Sequence, residues 1–573
     1  MRTDAPDPSA GSEAGIAILA VGGTLLCLGT AAGWNLGTWL NTGHFGLGHW
    51  SPWHAVALAA VFAPLIALIV LGIRWFRAKM AAADHVDRKA SQMGDPAKIG
   101  EAAARKAAVV GKVSMLWDET AAPGLHYANA VSDGSPLFMN WRETAMFEVG
   151  MGGYKSTGLI IPLCDQAPGN LMTSSMKIDV PNAIRWLAEQ RGTFYCLDIS
   201  NITGYYDPLD PPWCWNPLAE VTEPVEALRL ATTFADVTNL DNASRHNFFD
   251  QKGPDVLASI MLAAAIEGHQ LPQVFRWLQD PDDDEPARIL EYRFPLSSAF
   301  LDGVYHSKSE SAYDIFQTAS NALRWLMDPK IQAWVTDDGT RPRFSPTEFV
   351  KPYYFDARRR QRRIKRDTLI LMSRKGEGSV APITSALAAM VIRAAQVEAS
   401  RWPHGRLPVP LVMPLDEAPN TAPIRNLPDD FTVLGSHGIT PIVCVQNWAQ
   451  ACLAWQDRGA MQLWNGSSTR AAGSGLADPT RLAALSKLTG QCWELRRSAS
   501  GGGAGPETRQ VGRERAPLLD ADEIAALDGG RILVFASGSY AVLGRLLPWW
   551  QRPELNWKVE KSLALYEPEG ASL

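Results

Sequence analysis

The chain has 573 residues, which is too long for one hydrophobic core and excludes a single small domain. Its hydrophobic fraction of 46% supports large buried cores. Its seven cysteines lie far apart with no Cys-x-x-Cys pair, which argues against a disulfide framework or a zinc site and fits a reducing compartment. The net charge of -6 does not decide the class of partner, because positive residues are concentrated locally.

Two N-terminal stretches without charged residues, 15–34 and 55–73, predict transmembrane helices. Each holds about 20 residues, which at 1.5 Å per residue spans a hydrocarbon core of roughly 30 Å. A cleaved signal peptide is the alternative for the first stretch, but acidic residues precede it and a second apolar stretch follows. Residues 1–80 are therefore predicted to form a membrane domain.

The distribution of positive charge predicts how this domain is oriented. The loop 35–54 contains neither lysine nor arginine, whereas five positive residues follow the second stretch: Arg74, Arg77, Lys79, Arg88 and Lys89. The positive-inside rule places the loop outside and both termini in the cytoplasm, so we expect a multi-pass protein of the inner (plasma) membrane.

Beyond residue 80, short apolar segments alternate with helical ones, which is typical of an α/β core with a parallel sheet covered on both faces. We predict a stalk or linker at 81–139, a nucleotide-binding core at 140–222 and 337–560, an all-α insert at 223–336, and a tail at 561–573. The predicted strands are 194–197, 368–372, 411–415, 442–445 and 531–535. Prolines at 408, 410 and 414 lead us to expect that the third of these strands is irregular or begins late.

A glycine-rich turn precedes the first long apolar segment of the core. Residues 147–162 read Phe-Glu-Val-Gly-Met-Gly-Gly-Tyr-Lys-Ser-Thr-Gly-Leu-Ile-Ile-Pro. Backbone N–H groups surround a phosphate only where side chains are absent, while a lysine neutralises its charge and a hydroxyl reaches Mg²⁺. The pattern therefore predicts a degenerate phosphate-binding loop, with an ordinary surface turn as the alternative. Its candidate residues are Gly150, Gly152, Gly153, Tyr154, Lys155, Ser156 and Thr157.

The loop departs from the strict pattern, which has glycine where Val149 and Tyr154 stand. If position 154 is left-handed, a non-glycine residue costs on the order of 1–2 kcal/mol, which corresponds to roughly tenfold in affinity. The tyrosine ring either occupies the phosphate space or folds outward and leaves the three offset glycines to form the cradle. Both arrangements are open from the sequence.

Two polar strand ends supply candidate catalytic groups. The apolar segment 411–415 ends at Asp416 and Glu417, and in an ATPase the first such carboxylate holds Mg²⁺ while the second orients the attacking water. The next apolar segment ends at Gln446, which is placed to sense a γ-phosphate. Solvated strand ends are the alternative for all three residues.

Two segments concentrate positive charge. Residues 357–366 hold seven positive side chains and predict a contact with nucleic-acid phosphates or anionic lipids, or a solvated turn. The glycine-rich segment 498–505 is flanked by further arginines and predicts a flexible basic loop. The candidate DNA contacts are Arg358, Arg359, Arg360, Arg362, Arg363, Arg496 and Arg497.

Six motifs in this order resemble the TraG-like conjugative DNA-transfer ATPases, the coupling proteins of type IV secretion systems. The resemblance covers roughly residues 140–560, and the two predicted N-terminal spans also match. The motifs are Lys155-Ser-Thr-Gly-Leu-Ile-Ile-Pro162, Trp215-Asn-Pro-Leu218, Phe234-Ala-Asp236 with Asn247-Phe-Phe-Asp250, Leu415-Asp-Glu-Ala-Pro-Asn420, 438–446 and 463–479.

The resemblance implies a membrane-tethered RecA-like motor, typically a homo-hexamer, that uses ATP and Mg²⁺ to deliver relaxase-bound single-stranded DNA to the proteins of a secretion channel. By position, Lys155 would bind the β/γ-phosphates, Ser156 and Asp416 the Mg²⁺, Glu417 the water and Gln446 the γ-phosphate. Arg470, just past a predicted strand, is a candidate for the arginine supplied to a neighbouring subunit. A catalytically inactive membrane receptor of the same family is the rival hypothesis.

Overall fold

The computed structural model describes residues 30–60 (except 33, 37, 47–48, 55 and 59), 85–110, 122–238, 248–307, 310–374, 380–500 and 508–567. The chain divides into two units, Met1–His85 and Val86–Leu573. In the first unit, short helical segments occur between residues 30 and 60, and the buried Thr38 Oγ1 lies 3.0 Å from His54 Nε2.

The predicted membrane spans, 15–34 and 55–73, lie largely outside the described residues. Among the helices that are described, none combines the length and apolar character needed to cross a membrane. The two spans stay predictions.

The second unit is built on an eleven-stranded mixed sheet with two separate hairpins. The strands are β1 (Gly124–Ala130), β2 (Pro136–Asn140), β3 (Ala145–Glu148), β4 (Leu171–Ser175), β5 (Phe194–Leu197), β6 (Tyr353–Asp356), β7 (Gln361–Ile364), β8 (Thr368–Met372), β9 (Leu411–Leu415), β10 (Ile439–Val445), β11 (Thr469–Gly473), β12 (Gln491–Ser500), β13 (Thr508–Pro517), β14 (Arg531–Ala536) and β15 (Val542–Arg545). The order in the sheet is β2-β1-β15-β14-β11-β3-β10-β9-β4-β8-β5, while β6–β7 and β12–β13 pair only with each other.

The parallel part of the sheet runs from β11 to β5, and β14, β15, β1 and β2 add an antiparallel edge. The prediction of a parallel sheet was wrong for residues 531–535, because β14 pairs antiparallel to β11. Strand β9 begins at Leu411, the first residue of the predicted strand, so a late start was not found; Pro414 lies inside it and pairs in register with Ile442.

Helices cover both faces of the sheet and also form the segment between β5 and β6. They are α1 (His85–Lys89), α2 (Glu101–Val110), α3 (Ile161–Gln166), α4 (Asp179–Glu189), α5 (Pro224–Thr238), α6 (Phe248–Ile266), α7 (Leu271–Gln279), α8 (Glu285–Leu290), α9 (Pro295–Tyr305), α10 (Glu310–Ala322), α11 (Pro329–Val335), α12 (Pro346–Phe349), α13 (Ala381–Ser400), α14 (Ala418–Thr421), α15 (Leu427–Leu434), α16 (Trp448–Gly466), α17 (Pro479–Leu488), α18 (Ala521–Ala525) and α19 (Pro553–Tyr566). Alternate residues of β8 enter opposite cores, with Leu369 and Leu371 on one side and Ile370 and Met372 on the other. This two-sided burial explains why the central strands are almost continuously apolar.

Between β5 and β6 the described elements are all helical, from α5 to α12. The helical pattern over 309–334 is divided in the structure, because α10 ends at Ala322, a 3₁₀ turn covers Arg324–Met327, and Pro329 starts α11. Asp328 caps that last helix, since its side chain accepts a hydrogen bond from the Lys330 N–H.

The predicted linker and tail both contribute to the folded unit. Within 81–139, strands β1 and β2 belong to the main sheet, and α1 forms ion pairs through Asp87 with Arg531 of β14 and through Lys89 with Glu523 of α18. Helix α19 continues to Tyr566, and the Ser562 hydroxyl donates a 2.5 Å hydrogen bond to the Asn182 carbonyl of α4. The sequence concealed these roles because sheet-edge and docking contacts depend on residues distant in the chain.

Candidate nucleotide site at the carboxyl edge of the sheet

The strand order brings three predicted segments to one edge of the sheet. Strand β10 lies between β3 and β9, and all three run parallel, so their carboxyl ends meet. The glycine-rich loop follows β3, Gln446 follows β10, and Asp416 follows β9. The Val149 N–H donates a 3.0 Å hydrogen bond to the Val445 carbonyl, which ties the start of the loop to the strand that ends at Gln446.

Lys155 joins the loop to the acidic strand end. Its Nζ lies 3.1 Å from Asp416 Oδ1 and 3.2 Å from Glu417 Oε1, with only 10% of the side chain exposed. The neighbouring Ser156 hydroxyl donates a 3.0 Å hydrogen bond to Asp416 Oδ2. Four residues from two chain segments about 260 positions apart therefore form one cluster, which we name the Lys155 cluster.

The charges of this cluster are unbalanced, because two carboxylates face one ammonium. Burial disfavours the charged ammonium, but Asp416 and Glu417 outweigh that effect and raise the pKa of Lys155. Burial raises the pKa of Asp416. The Lys155 ammonium acts to lower this pKa, and the Glu417 carboxylate raises it further. A cluster that carries excess negative charge out of water is stabilised by a further cation.

The turn after β9 is held by buried hydroxyl groups. The Asp416 carbonyl accepts hydrogen bonds from Ser174 Oγ at 3.1 Å and from Thr421 Oγ1 at 2.9 Å. Glu417 has φ 48° and ψ 45°, a left-handed conformation that is strained for a residue with a side chain. Strain held in place by buried hydrogen bonds is typical of a functional turn.

The loop glycines are needed for packing within the protein. A Cβ on Gly150 would lie 2.3 Å from the Gly475 carbonyl oxygen, and one on Gly153 would lie 2.4 Å from Val149 Cγ1. Gly152 has φ 75°, where glycine is favoured. From the sequence we interpreted these residues as phosphate-binding only and did not predict the contact with Gly475.

Tyr154 adopts φ 58° and ψ 29°, which is the left-handed conformation that the strict pattern assigns to glycine. Its ring packs toward Gly530, where an added Cβ would lie 2.6 Å from Tyr154 Cδ2, and makes an edge contact with Trp550. The side chain is 42% exposed. Of the two arrangements left open by the sequence, the ring position matches the outward one, while the adjacent Lys155 ammonium points to the acidic pair.

The loop leads into a π-helix over Lys155–Ile160, in which the Ile161 N–H donates to the Ser156 carbonyl five residues earlier. Proline at position 162 falls in the first turn of α3, where its missing N–H is tolerated. Thr157 Oγ1 is buried with no hydrogen-bond partner among the described residues. A hydroxyl left unpaired beside a cluster with excess negative charge fits a site that gains a ligand.

Gln446 is half-buried at the tip of β10, next to the loop. The prediction that Arg470 lies just past a strand was wrong. It is the second residue of β11, where it pairs in register with Met146 of β3. Burial lowers its pKa, and its Nε has no hydrogen-bond partner among the described residues.

The basic residues lie on hairpins. Arg358, Arg359 and Arg360 occupy the turn of β6–β7, and Arg362 and Arg363 lie on β7. Arg496 and Arg497 lie within β12, in register with Gly512 and Val511 of β13. Of the predicted flexible loop 498–505, residues 498–500 belong to β12, and residues 501–507 lie outside the described part of the chain.

Arg481 is a residue of this region that sequence reasoning missed. Its Nε donates a 2.8 Å hydrogen bond to Glu148, the buried last residue of β3, and its guanidinium lies 4.0 Å from the Trp448 ring and 4.1 Å from the Trp464 ring. No spacing pattern connects residues 333 positions apart, so the sequence carried no signal of this contact.

Comparison with known proteins agrees with this geometry. Residues 410–529 match the family model described as the TraM recognition site of TraD and TraG. The fold is that of the bacterial conjugative coupling protein TrwB. The unbound monoclinic form of TrwBdeltaN70 superposes with a TM-score of 0.51 at 17% identity, covering 76% of this chain and 91% of that chain. The family model thus places the likeness to TraD and TraG in residues 410–529, and the TrwB structures share the fold of the larger part of the chain.

Two further TrwB structures contain nucleotides. The complex with ADP and Mg²⁺ has a TM-score of 0.52 at 15% identity, and the complex with the non-hydrolysable ATP analogue ADPNP has a TM-score of 0.51 at 17% identity. Each covers 76% of this chain and 92% of that chain. No curated protein matches this chain significantly in sequence. The resemblance predicted from the motifs is confirmed by the family model over residues 410–529, and the chain shares with TrwB a fold that here consists of an α/β core and a helical segment.

Proposed function

We propose that this TraG-like chain is a membrane-anchored coupling protein of a conjugative or type IV secretion system, which uses ATP to translocate single-stranded DNA, together with a relaxase, to the secretion channel. The observation that carries the proposal is the Lys155 cluster, in which the loop lysine and serine contact both carboxylates that end β9. Lysine, hydroxyl and paired carboxylates are the groups that phosphoryl transfer requires.

The residues of the cluster fit Mg²⁺ and ATP. Ser156 Oγ and Asp416 Oδ2, now 3.0 Å apart, would hold the metal, which is a hard cation that prefers oxygen ligands. Lys155 would turn from the carboxylates to the β/γ-phosphates, and Glu417 would orient the attacking water. Bound Mg²⁺ supplies charge neutralisation at the transferred phosphoryl group. Gln446 would contact the γ-phosphate.

The remaining elements of the proposal concern partners and location. Two transmembrane helices near residues 15–34 and 55–73 would anchor the protein in the inner membrane with both termini in the cytoplasm, among its lipids. A homo-hexamer would form the working ring, with Arg470 as the candidate arginine offered to the neighbouring subunit. Residues 410–529 would also dock an accessory protein of the TraM type, since their family model is described by that recognition.

The test measures phosphate release by the purified full-length chain, with and without single-stranded DNA. We expect DNA-stimulated hydrolysis that is lost in Lys155→Ala and Glu417→Gln. Glu417→Gln should still bind ATP, because the lysine and the metal ligands remain. The matched controls are Lys330→Ala and Glu291→Gln, which change the same residue types at exposed positions of the helical insert. Equal background in the wild-type chain and both site variants would refute the motor.

A catalytically inactive receptor is the second candidate, favoured by the non-glycine residues Val149 and Tyr154 in the loop. It would recruit the same DNA-protein substrate without hydrolysing ATP. The two functions separate in transfer assays in cells. A motor fails to transfer DNA when Lys155 is replaced by alanine, whereas a receptor transfers DNA at the wild-type rate with that substitution.

A further inference from the structure

We propose that the β6–β7 hairpin is a binding surface for single-stranded nucleic acid, on which Tyr354 and Phe355 stack against bases while the adjacent arginines contact phosphates. The inference rests on the proposed function, because single-stranded DNA is the substrate proposed there. It deepens that proposal by naming where the strand is held outside the nucleotide site.

The hairpin carries more positive charge than the carboxylates of the described residues neutralise. Its turn and second strand contain five arginines, and the nearest carboxylate, Asp356, lies 4.0 Å from Arg359 and 3.9 Å from Arg363. The same carboxylate accepts hydrogen bonds from the backbone N–H groups of Arg358 and Arg359, which fix the turn. In the described part of the chain, no carboxylate forms an ion pair with Arg358 or Arg360.

The two cations that follow the hairpin have structural partners instead. Lys365 forms a 3.1 Å ion pair with Asp367 and donates to the Glu348 carbonyl, and Arg366 donates to the Pro168 carbonyl. The unneutralised charge is therefore concentrated on the projecting part of the hairpin rather than at its base.

Two large aromatic side chains are exposed on the same hairpin. Phe355 is 68% exposed and Tyr354 is 47% exposed, whereas the preceding Tyr353 anchors the hairpin by packing against Trp402, with ring centroids 5.7 Å apart. Consecutive strand residues point to opposite faces, so each face of the hairpin presents one of the two exposed aromatics. Stacking on such rings is independent of base identity.

Each exposed aromatic has an arginine opposite it on the neighbouring strand. Phe355 pairs in register with Arg362, and Tyr354 pairs with Arg363. Side chains at directly opposite positions have Cβ atoms about 5 Å apart. The Arg362 guanidinium lies 5.8 Å from the ring of Tyr353, which is two residues from Phe355 on the same strand face. A base stacked on the ring would bring its own phosphate within reach of the arginine.

The position of the charges favours nucleic acid over a lipid surface. The tip of the turn is Ala357-Arg358-Arg359-Arg360, and the aromatic residues lie behind it on the strand. A hairpin that inserts into a membrane needs an apolar tip, because arginine in hydrocarbon is costly. A single-stranded nucleic acid can cover the tip and both faces without removing the guanidinium groups from water.

The test uses fluorescence anisotropy of a labelled oligothymidylate with the full-length chain, in the absence of nucleotide and across a series of salt concentrations. The variant Arg358→Gln/Arg360→Gln/Arg362→Gln should bind at least about tenfold more weakly, and the slope of log K against log salt should fall by about 2, because each phosphate contact contributes roughly 0.7 on a single strand. The variant Tyr354→Ser/Phe355→Ser should weaken binding by about five- to tenfold with little change in slope.

The matched control replaces three exposed arginines of the helical insert, Arg276, Arg288 and Arg324, with glutamine. Unchanged affinity in both hairpin variants, or an equal loss in the control, would overturn the proposal. So would hairpin-dependent binding to phosphatidylserine vesicles with oligothymidylate binding unaffected, which would assign the surface to lipid. If a combined variant fails to fold, Arg358→Gln and Phe355→Ser are measured singly against the same criteria.

This experiment separates the hairpin from the motor. DNA binding that depends on the hairpin in a chain that does not hydrolyse ATP would support the surface and refute the motor. DNA-stimulated hydrolysis with unchanged binding by the hairpin variants would do the reverse.

Discussion

Arg481 pairs with Glu148 through a 2.8 Å hydrogen bond and thereby connects α17 to the strand end from which the glycine-rich loop starts. The guanidinium lies between two tryptophan rings of α16, a helix that begins two residues after Gln446. The contact therefore unites the loop strand with the helix that follows the candidate γ-phosphate sensor. Burial raises the pKa of Glu148, and Arg481 opposes that shift.

Replacing Arg481 with alanine should destabilise the protein by about 3–5 kcal/mol, because it leaves a buried carboxylate without its partner. Urea unfolding of the full-length chain measures this loss. The double variant Glu148→Gln/Arg481→Met should lose much less unfolding free energy than Glu148→Gln and Arg481→Met lose separately when their losses are added, since no charge then stays buried alone. Strict additivity of the two substitutions would contradict the pairing.

Tyr154→Gly tests whether the ring competes with phosphate. Because the ring packs toward Gly530 and Trp550, we expect the affinity for ADP and Mg²⁺ to change by less than about tenfold, which corresponds to about 1.4 kcal/mol. Isothermal titration calorimetry measures the affinity. Tyr154→Phe is the control, because it keeps the ring and the left-handed backbone. A hundredfold gain in the glycine variant would show that the ring blocks the site.

Thr421→Val should separate stability from catalysis. The buried hydroxyl donates to the Asp416 carbonyl at 2.9 Å and lies 2.8 Å from Ser174 Oγ, so its loss should cost about 1–3 kcal/mol and release the strained turn at Glu417. We expect kcat for ATP to fall more than KM rises. Thr440→Val removes another buried hydroxyl, near the amino end of β10, and should lower stability without changing kcat. Equal changes of kcat in Thr421→Val and Thr440→Val would refute a catalytic role for the turn at Glu417.

Glu143 should make stability depend on pH. Burial raises its pKa from 4.5 to about 7, so the folded state favours the protonated carboxyl. The stabilisation is complete below pH 4.5, where the unfolded chain is also protonated, and is lost as pH rises from 4.5 to about 7. Because the side chain is only half-buried, water screening should limit the loss to about 1–2 kcal/mol.

The pH dependence of urea unfolding, compared between the wild-type chain and Glu143→Gln, isolates this contribution. The variant should lack the decline over that interval, whereas Glu291→Gln, an exposed control, should retain it. Parallel curves for the wild-type chain and Glu143→Gln would show that the carboxyl titrates normally in the folded state.

Local patterns were sufficient where the determinants are local. The apolar segment 411–415 ending in two carboxylates predicted both strand β9 and its acidic end, and Lys155-Ser156 after the glycines predicted the basic half of the cluster. They failed for residues 531–535, since an apolar strand has the same composition whether it pairs parallel or antiparallel. They also failed for residues 122–140, which we predicted as part of a linker. These residues form strands that are recognisable only from their pairing at the edge of the sheet.

The sequence by itself determined that this protein alternates apolar strands with helices and carries a lysine-serine loop and an acidic strand end, because hydrophobic periodicity and short motifs are set by neighbouring residues. Only the tertiary structure decided that β10 separates β3 from β9, that Lys155 meets Asp416, that the Tyr154 ring turns toward Gly530, and that Arg481 pairs with Glu148. These contacts join residues hundreds of positions apart, and their geometry follows from burying both faces of one sheet at once.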